Sequence, residues 1–514
     1  MEDSRTKNAS KNIISAFLLQ IIKIVFVLAN RIIFVRTLGA SFLGINGLFS
    51  NILSILSLAD LGLGTAMMYG LYEPLAKKDE RKISAYINFF NKVYNIIAII
   101  VAITGVALIP FLKYIINLPN TIDHIYLYYI LQLSSTVMSY LFVYKTTLLS
   151  ADQKNYIITK YDFIMSIVLF FAQMIILITT KSFGLYLFAN VVTMFMGNIL
   201  KVRKTNELYP YIKKSNAELS KEERKEIFSN TNASFAYKIG GIIQSNTDNI
   251  LISMFVGTIT VGYYSNYSSI LNYIVNFIST VFNSLKASLG NFIAEKSKDE
   301  QMKLFDIFET INFGLVSFCT IMFTILISDF IEICYGKEYI LNNAFVIGLA
   351  LNFYTSNIRQ NLWMYRETTG MFKKTKYITL VTSAFNIVLS IWWGKYWGLS
   401  GIVYATVFSR IIYAWWKEPI IIFNDYFKKS SKKYFIKYIE RIIFTLVQIF
   451  AFQYMFKLIK IQNIYLLFII KGLITSIITL LIFYIVYKKD SAFYFLMEKL
   501  KKGRLNKKWK MKAK

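Results

Sequence analysis

A single histidine and two cysteines in 514 residues leave little room for metal or thiol chemistry. Cys319 and Cys334 lie in or beside one apolar segment, and fifteen positions of helix hold them too far apart for a disulfide. Neither a bridge, a Cys/His metal site nor a cofactor is expected. His124 stands at a helix start and reads as an interfacial, solvated side chain. No G-x-x-x-x-G-K-[ST] phosphate loop is present, which excludes ATP hydrolysis by that route. There is no G-x-S-x-G elbow, and the longest outer connection, near Lys113 to His124, is too short for a catalytic domain. The chain is therefore expected not to be an enzyme. Charge is scarce as well, at 17% of residues against about a quarter in soluble domains.

What is abundant is apolar surface: 55% of residues are hydrophobic, 17% aromatic, and mean hydropathy is +0.47. The class is a polytopic membrane protein. About 20 apolar residues at 1.5 Å per residue cross the roughly 30 Å hydrocarbon layer. Apolar runs bounded by charge or turn residues give about fourteen spans: 12–34, 43–68, 85–109, 125–150, 157–180, 184–202, 229–256, 261–290, 306–330, 343–367, 377–394, 399–417, 438–457 and 464–487. The first is longer than a secretory signal core and no small-residue cleavage site ends it, so it is expected to be retained.

The basic residues fall on one side. With the N-terminus cytoplasmic, the outer segments carry only Arg36, Lys113, Lys181, Lys337, Lys395, Lys457 and Lys460. Nine more bases lie inside spans: Lys23, Arg31, Lys92, Lys145, Lys238, Lys286, Arg359, Arg410 and Lys471. All others crowd inner segments such as KKDERK at 77–82, KKSNAELSKEERKEIF at 213–228 and the C-terminal KKGRLNKKWKMKAK. This asymmetry predicts cytoplasmic N- and C-termini. The basic loops are expected to meet anionic membrane lipids rather than nucleic acid, because no aromatic-interleaved soluble domain accompanies them.

A shift of 218 positions exposes an internal repeat. Gly39 and Gly44 of LGASFLGINGLFSNIL fall on Gly257 and Gly262 of VGTITVGYYSNYSSIL, and Ser50 falls on Ser268. Six spans separate the copies, so both face the same way. The fold expected is an all-α polytopic membrane protein of about 14 transmembrane helices: two parallel six-helix lobes with pseudo-two-fold symmetry plus two C-terminal helices. The corresponding boundaries are 1–204 for the first lobe, 205–228 for a cytoplasmic linker, 229–418 for the second lobe, 419–488 for the additional helices and 489–514 for a basic tail. In each G-x-x-x-x-G block, glycine is expected to serve chain reversal and close helix approach.

Polar groups inside the spans are the candidate functional residues, because charge at that depth usually faces protein or water. Gln20, Lys23 and Asn30 share one face of the first helix, with Arg31 one step round. Lys23 lies about 16 Å from either end of its span. Lys238 and Asp248 mark the seventh span, and Asn272 and Asn276 belong to a polar stripe along the eighth. The tenth carries Asn357, Arg359, Asn361 and Arg366, and Arg366, near the cytoplasmic end, is expected to snorkel. The main intramembrane acids are Asp60, Asp162 and Asp248. These groups either bond across helices or line a cavity, and both readings stay open.

The block RTLGASFLGINGLFSNILSILSLADLGLGTAMMYGLYEPLA, with its LG-x4-G and LADLGLG, resembles the Wzx-type polysaccharide flippases of the multidrug/oligosaccharidyl-lipid/polysaccharide exporter superfamily. The arginine-rich first-helix pattern of the superfamily's peptidoglycan-precursor flippases is missing. The resemblance implies a fourteen-helix, two-lobed transporter that moves undecaprenyl-diphosphate-linked oligosaccharide repeat units across the bacterial cytoplasmic membrane by alternating access. An anionic cargo agrees with the surplus of intramembrane bases. Lys23, Arg31, Lys238 and Arg359 are expected to contact diphosphate or acidic sugar, and Gln20, Asn30, Asn272 and Asn276 sugar hydroxyls. Asp60 and Asp248 either carry a coupling H+ or Na+ or pair with bases. A monomer is expected, with other polysaccharide-assembly proteins as partners. The rival readings are a cation-coupled exporter of drugs or metabolites on the same fold and an integral-membrane glycan polymerase or ligase.

Overall fold

The structure is a computed structural model that describes residues 2–57, 63–119, 122–213, 215, 217–459, 461–488, 490 and 493. Within these, the side chains of 2–23, 228–238 and a few scattered positions lie outside the description. The described residues form helices and no strand. In chain order these are α1 (Glu2–Leu56), α2 (Leu63–Lys77), α3 (Glu80–Ala107), the short α4 (Leu112–Ile115), α5 (Ile125–Ala151), α6 (Asn155–Thr179), α7 (Phe183–Leu208) and α8 (Lys221–Phe255). They continue with α9 (Thr258–Glu295), α10 (Lys298–Tyr335), α11 (Asn343–Asn357), α12 (Gln360–Thr368), α13 (Phe372–Ser409), α14 (Trp415–Ile421), α15 (Lys432–Lys457) and α16 (Ile464–Tyr487). Each expected span has its described residues mainly in helix, and among the described residues seven helical stretches are long and apolar enough to cross a membrane by themselves. The protein is an all-α polytopic membrane protein.

Polar starts fix the register of the helices that follow charged loops. Ser220 with Glu223 and Ser297 with Glu300 form reciprocal capping boxes at the heads of α8 and α10. Several breaks differ from the expected loops. The first expected span and the start of the second are one helix, α1, whose backbone leaves the helical region at Gly39 (φ 83°), and the end of the second span lies on α2. The eleventh and twelfth are likewise one helix, α13, broken at Gly398 (φ 57°). The tenth, expected as continuous, divides into α11 and α12. There the Asn312 amide of α10 donates to the freed carbonyls of Asn357 and Ile358, at 3.1 and 2.8 Å.

By packing, the chain forms two units: Met1–Ser265 with Ser390–Leu399, and Asn266–Leu389 with Ser400–Lys514. In the second, Ile321 and Ile325 of α10 pack with Ile449, Phe452 and Phe456 of α15. α16 turns Thr475, Thr479 and Gly472 inward and leaves Ile469, Leu473, Ile477 and Leu481 exposed. Small and polar faces inward with apolar faces outward is the arrangement a lipid solvent favours.

The first unit contains the contact that the repeat foreshadows. A Cβ on Gly44 of α1 would meet the Thr258 carbonyl oxygen at 2.0 Å, and one on Gly262 of α9 would meet the Ala40 carbonyl oxygen at 2.4 Å. Gly44 and Gly262 are repeat equivalents, as are Ala40 and Thr258, so the crossing is reciprocal, like a two-fold contact. The leading glycines of both blocks, Gly39 and Gly257, carry positive φ of 83° and 130°. Reversal followed by close approach is what these glycines provide.

Candidate functional site

The break at Gly39 lets both arms of α1 line one space. Asn30, Arg31 and Phe34 precede it, while Asn46, Ser50 and Ser54 follow on one helical face. α5 adds Gln132, Ser135, Thr136 and Ser139, again at spacings of three and four, and α6 and α7 close the space with Gln173, Tyr186 and Asn190. The cavity measures about 670 Å³, within the range of small-molecule sites. A second chamber of about 410 Å³ shares Asn30, Gln173 and Asn190 and ends at Asp162 and Lys201, paired at 2.9 Å.

Two amide pairs brace the lining. Asn30 Nδ2 donates to Gln173 Oε1 at 2.6 Å, and Gln132 Nε2 donates to Asn46 Oδ1 at 2.7 Å. The hydroxyls are tied back into their own helices: Ser50 donates to the Asn46 carbonyl, Thr136 to Gln132 and Ser139 to Thr136. Their protons are thereby occupied, leaving oxygen lone pairs as acceptors. Arg31 donates to Ser265 Oγ at 2.8 Å, and Ser265 donates to the Gly262 carbonyl at 2.9 Å, which links the site to the glycine crossing. Among the described lining residues of the larger chamber, Arg31 is the one charged side chain and none is acidic. The chemistry offered is neutral hydrogen bonding beside a fixed guanidinium.

The charges of the second unit are used differently. Glu418 of α14 is 1% exposed and lies between two arginines of the broken helix, Arg359 and Arg366, the latter at 2.7 Å. π-helical turns at Arg410–Ala414 and Ile422–Phe427 flank α14. Arg410 donates to the Asn352 carbonyl and side chain and to Thr355 on α11, at 2.8 to 3.1 Å. Lys286 pairs with Glu367, and Lys471 pairs with Asp329 at 2.7 Å. A buried pair of this kind fixes geometry, and losing one partner strands a charge.

The expected site residues therefore separate. Asn30 and Arg31 line the cavity of the first unit. Arg359, expected to face cargo, is 5% exposed and paired with Glu418. Arg366, expected to snorkel, is buried in the same cluster, because Glu418 offers a counter-charge inside the protein. Asp248 is buried on α8 at 6% exposure. Asn272 and Asn276 stand exposed on α9 in the second unit and are not among the residues that line that cavity. Asp60 and the side chains of Gln20, Lys23 and Lys238 lie outside the described residues. Sequence reasoning missed Gln132 and Gln173, each an isolated amide in an otherwise apolar run, and it missed Glu418, which sits one position beyond its span.

No family model and no curated protein sequence matches the chain. Solved structures do. The lipid II flippase MurJ in an inward closed conformation superposes with a TM-score of 0.69 at 15% identity, covering 92% of this chain and 98% of that one. An inward-facing multidrug resistance MATE family transporter of the MOP superfamily gives 0.59 at 16%, covering 76% and 91%. A variant of VcmN, the Vibrio cholerae MATE transporter, gives 0.54 at 13%, covering 80% and 96%. The chain has the fold that these transporters share.

Proposed function

We propose that this protein is a flippase that translocates a polyprenyl-diphosphate-linked oligosaccharide, of the undecaprenyl type, across the bacterial cytoplasmic membrane by alternating access. The observation that carries this reading is the lining of the larger chamber: amides and hydroxyls in number, one guanidinium, and no carboxylate among the described residues. Sugar hydroxyls both donate and accept, and so match amides beside oxygen acceptors. A diphosphate matches Arg31 by charge-assisted hydrogen bonding. A cationic drug would call for a carboxylate facing the ligand. The fold likeness adds support, since one chain it covers to 98% is the lipid II flippase MurJ. Cytoplasmic termini, coupling to H+ or Na+, and Lys23 and Lys238 as further anion contacts belong to the same proposal.

The test is export of lipid-linked glycan at matched expression. Arg31→Ala should reduce export at least tenfold while the protein remains inserted, and Arg31→Lys should retain part of it, because charge survives while the planar fork is lost. Lys23→Ala should act in the same direction. Full export by both alanine variants would remove the anion-site assignment, and export of a cationic dye in place of glycan would favour the drug-exporter reading.

A further inference from the structure

Glu309 of α10 differs from Glu418 in how its charge is compensated. It is 3% exposed, yet among the described residues its ion pair is a long one, 3.5 Å from Arg441 of α15. Arg441 makes its shorter bond, 3.1 Å, to Thr310 and sits 4.9 Å from the centre of the Phe313 ring. The other contact comes from Asn361 of α12, whose Nδ2 donates to Glu309 Oε2 at 3.2 Å and to the Phe305 carbonyl at 3.1 Å. Asn361 is fully buried, and its Oδ1 has no hydrogen-bond partner among the described residues.

This pocket is short of a donor. A carboxylate brings acceptors only, whereas a carboxylic acid brings one O–H donor as well. Protonated Glu309 could supply Asn361 Oδ1 with the proton it lacks, by a rotation of the glutamate side chain. Ionised Glu309 leaves that oxygen unpaired and keeps a buried charge weakly matched, which disfavours the ionised form. Asp306, three residues earlier on α10, is 44% exposed in its side chain and lies 3.8 Å from Lys437. The ionisable groups facing Glu309 are Asp306 on its own helix, Arg441, Lys437, Tyr434 and Tyr438 from α15, and Tyr354 from α11.

We propose that Glu309 is a proton-binding site: it takes H+ from water by way of Asp306 and, once neutral, gives up its ion pair with Arg441 of α15 while keeping its hydrogen bonding to Asn361 of α12. As a coupling site for transport it rests on the exporter reading, whereas the proton binding itself does not depend on any cargo. The balance is one proton taken up by the carboxylate and one later released.

Infrared difference spectra of the full-length protein in nanodiscs, recorded without cargo between about pH 5 and 8, read this directly, because a buried carboxyl titrates in that range when its ionised form is poorly supported. The wild type should show the carbonyl stretch of a protonated carboxyl that fades as pH rises. The band should shift on 13C-labelling of glutamate, vanish in Glu309→Gln and persist in Asp306→Asn. A wild type without such a band overturns the proposal even if Glu309→Gln does not fold, as does a band that survives in Glu309→Gln. If the site couples transport, Glu309→Gln should export at a rate independent of the pH gradient. A failed glycan-export assay with the infrared band intact would count against the flippase reading and leave the proton site standing.

Discussion

Adding one methyl group at Gly44 tests the helix crossing most sharply. The new Cβ would stand 2.0 Å from the Thr258 carbonyl oxygen and 2.9 Å from its carbon. Ordinary contact begins near 3.4 Å, so the backbones must part by roughly 1.4 Å. The obstacle is backbone, which cannot swing aside as a side chain does. Overpacking a tight site costs about 1–3 kcal/mol where side chains yield, so the upper end of that range is expected for Gly44→Ala. Gly262→Ala should follow closely, with its Cβ 2.4 Å from the Ala40 carbonyl oxygen. Two controls separate clash from other effects of glycine. A Cβ on Gly47 meets Val261 at an ordinary 3.5 Å, so Gly47→Ala should be neutral or stabilising, with up to about 1 kcal/mol gained from helix propensity. Gly39 has open space around it but a φ of 83°, so Gly39→Ala should cost about 1–2 kcal/mol of backbone strain. Thermal stability in detergent, followed by fluorescence-detected size exclusion, should rank Gly44→Ala and Gly262→Ala lowest, then Gly39→Ala, then wild type and Gly47→Ala. Gly44→Ala melting together with Gly47→Ala would refute the crossing.

Glu418→Gln should lower folded yield severely, because Arg359 and Arg366 lose the carboxylate between them, leaving Glu367 at 3.8 Å from Arg366, a loss of about 3–5 kcal/mol; wild-type yield and melting would show that the cluster does not hold α12 to α14. At the turn after α5, burial pushes the Asp152 carboxyl up, but hydrogen bonds from Lys154 at 2.7 Å and Tyr209 at 2.5 Å, with the Lys154 charge, outweigh it and hold the group below its ordinary range. A depressed carboxylate stabilises the fold above its unfolded pKa, about 3.9, and loses that contribution as pH falls through the lower folded value. Asp152→Asn should therefore melt below wild type at neutral pH, with the gap closing under acid, and a gap constant from pH 7 downward would contradict the ion-pair account.

The sequence by itself determined where the helices are, because hydropathy is a local property set by the solvent around each segment. The described residues of all fourteen apolar runs lie mainly in helix for that reason. The G-x-x-x-x-G repeat was legible too, since a positive φ at Gly39 and a close approach at Gly44 are demands that glycine meets and other residues resist. Asn30 and Arg31 were recognisable as polar groups in an apolar run. Their partners were not. Gln173 lies 143 positions from Asn30, and Glu418 lies 59 from Arg359. Which polar group faces which across neighbouring helices follows from helix crossing, and no local pattern encodes it. Burial cannot be read from type either: Arg366 is what a snorkelling residue looks like until Glu418 arrives beside it from α14. Only the tertiary structure showed that Arg359 and Lys471 sit in ion pairs and that the Arg31 guanidinium lines a cavity of hydrogen-bonding groups.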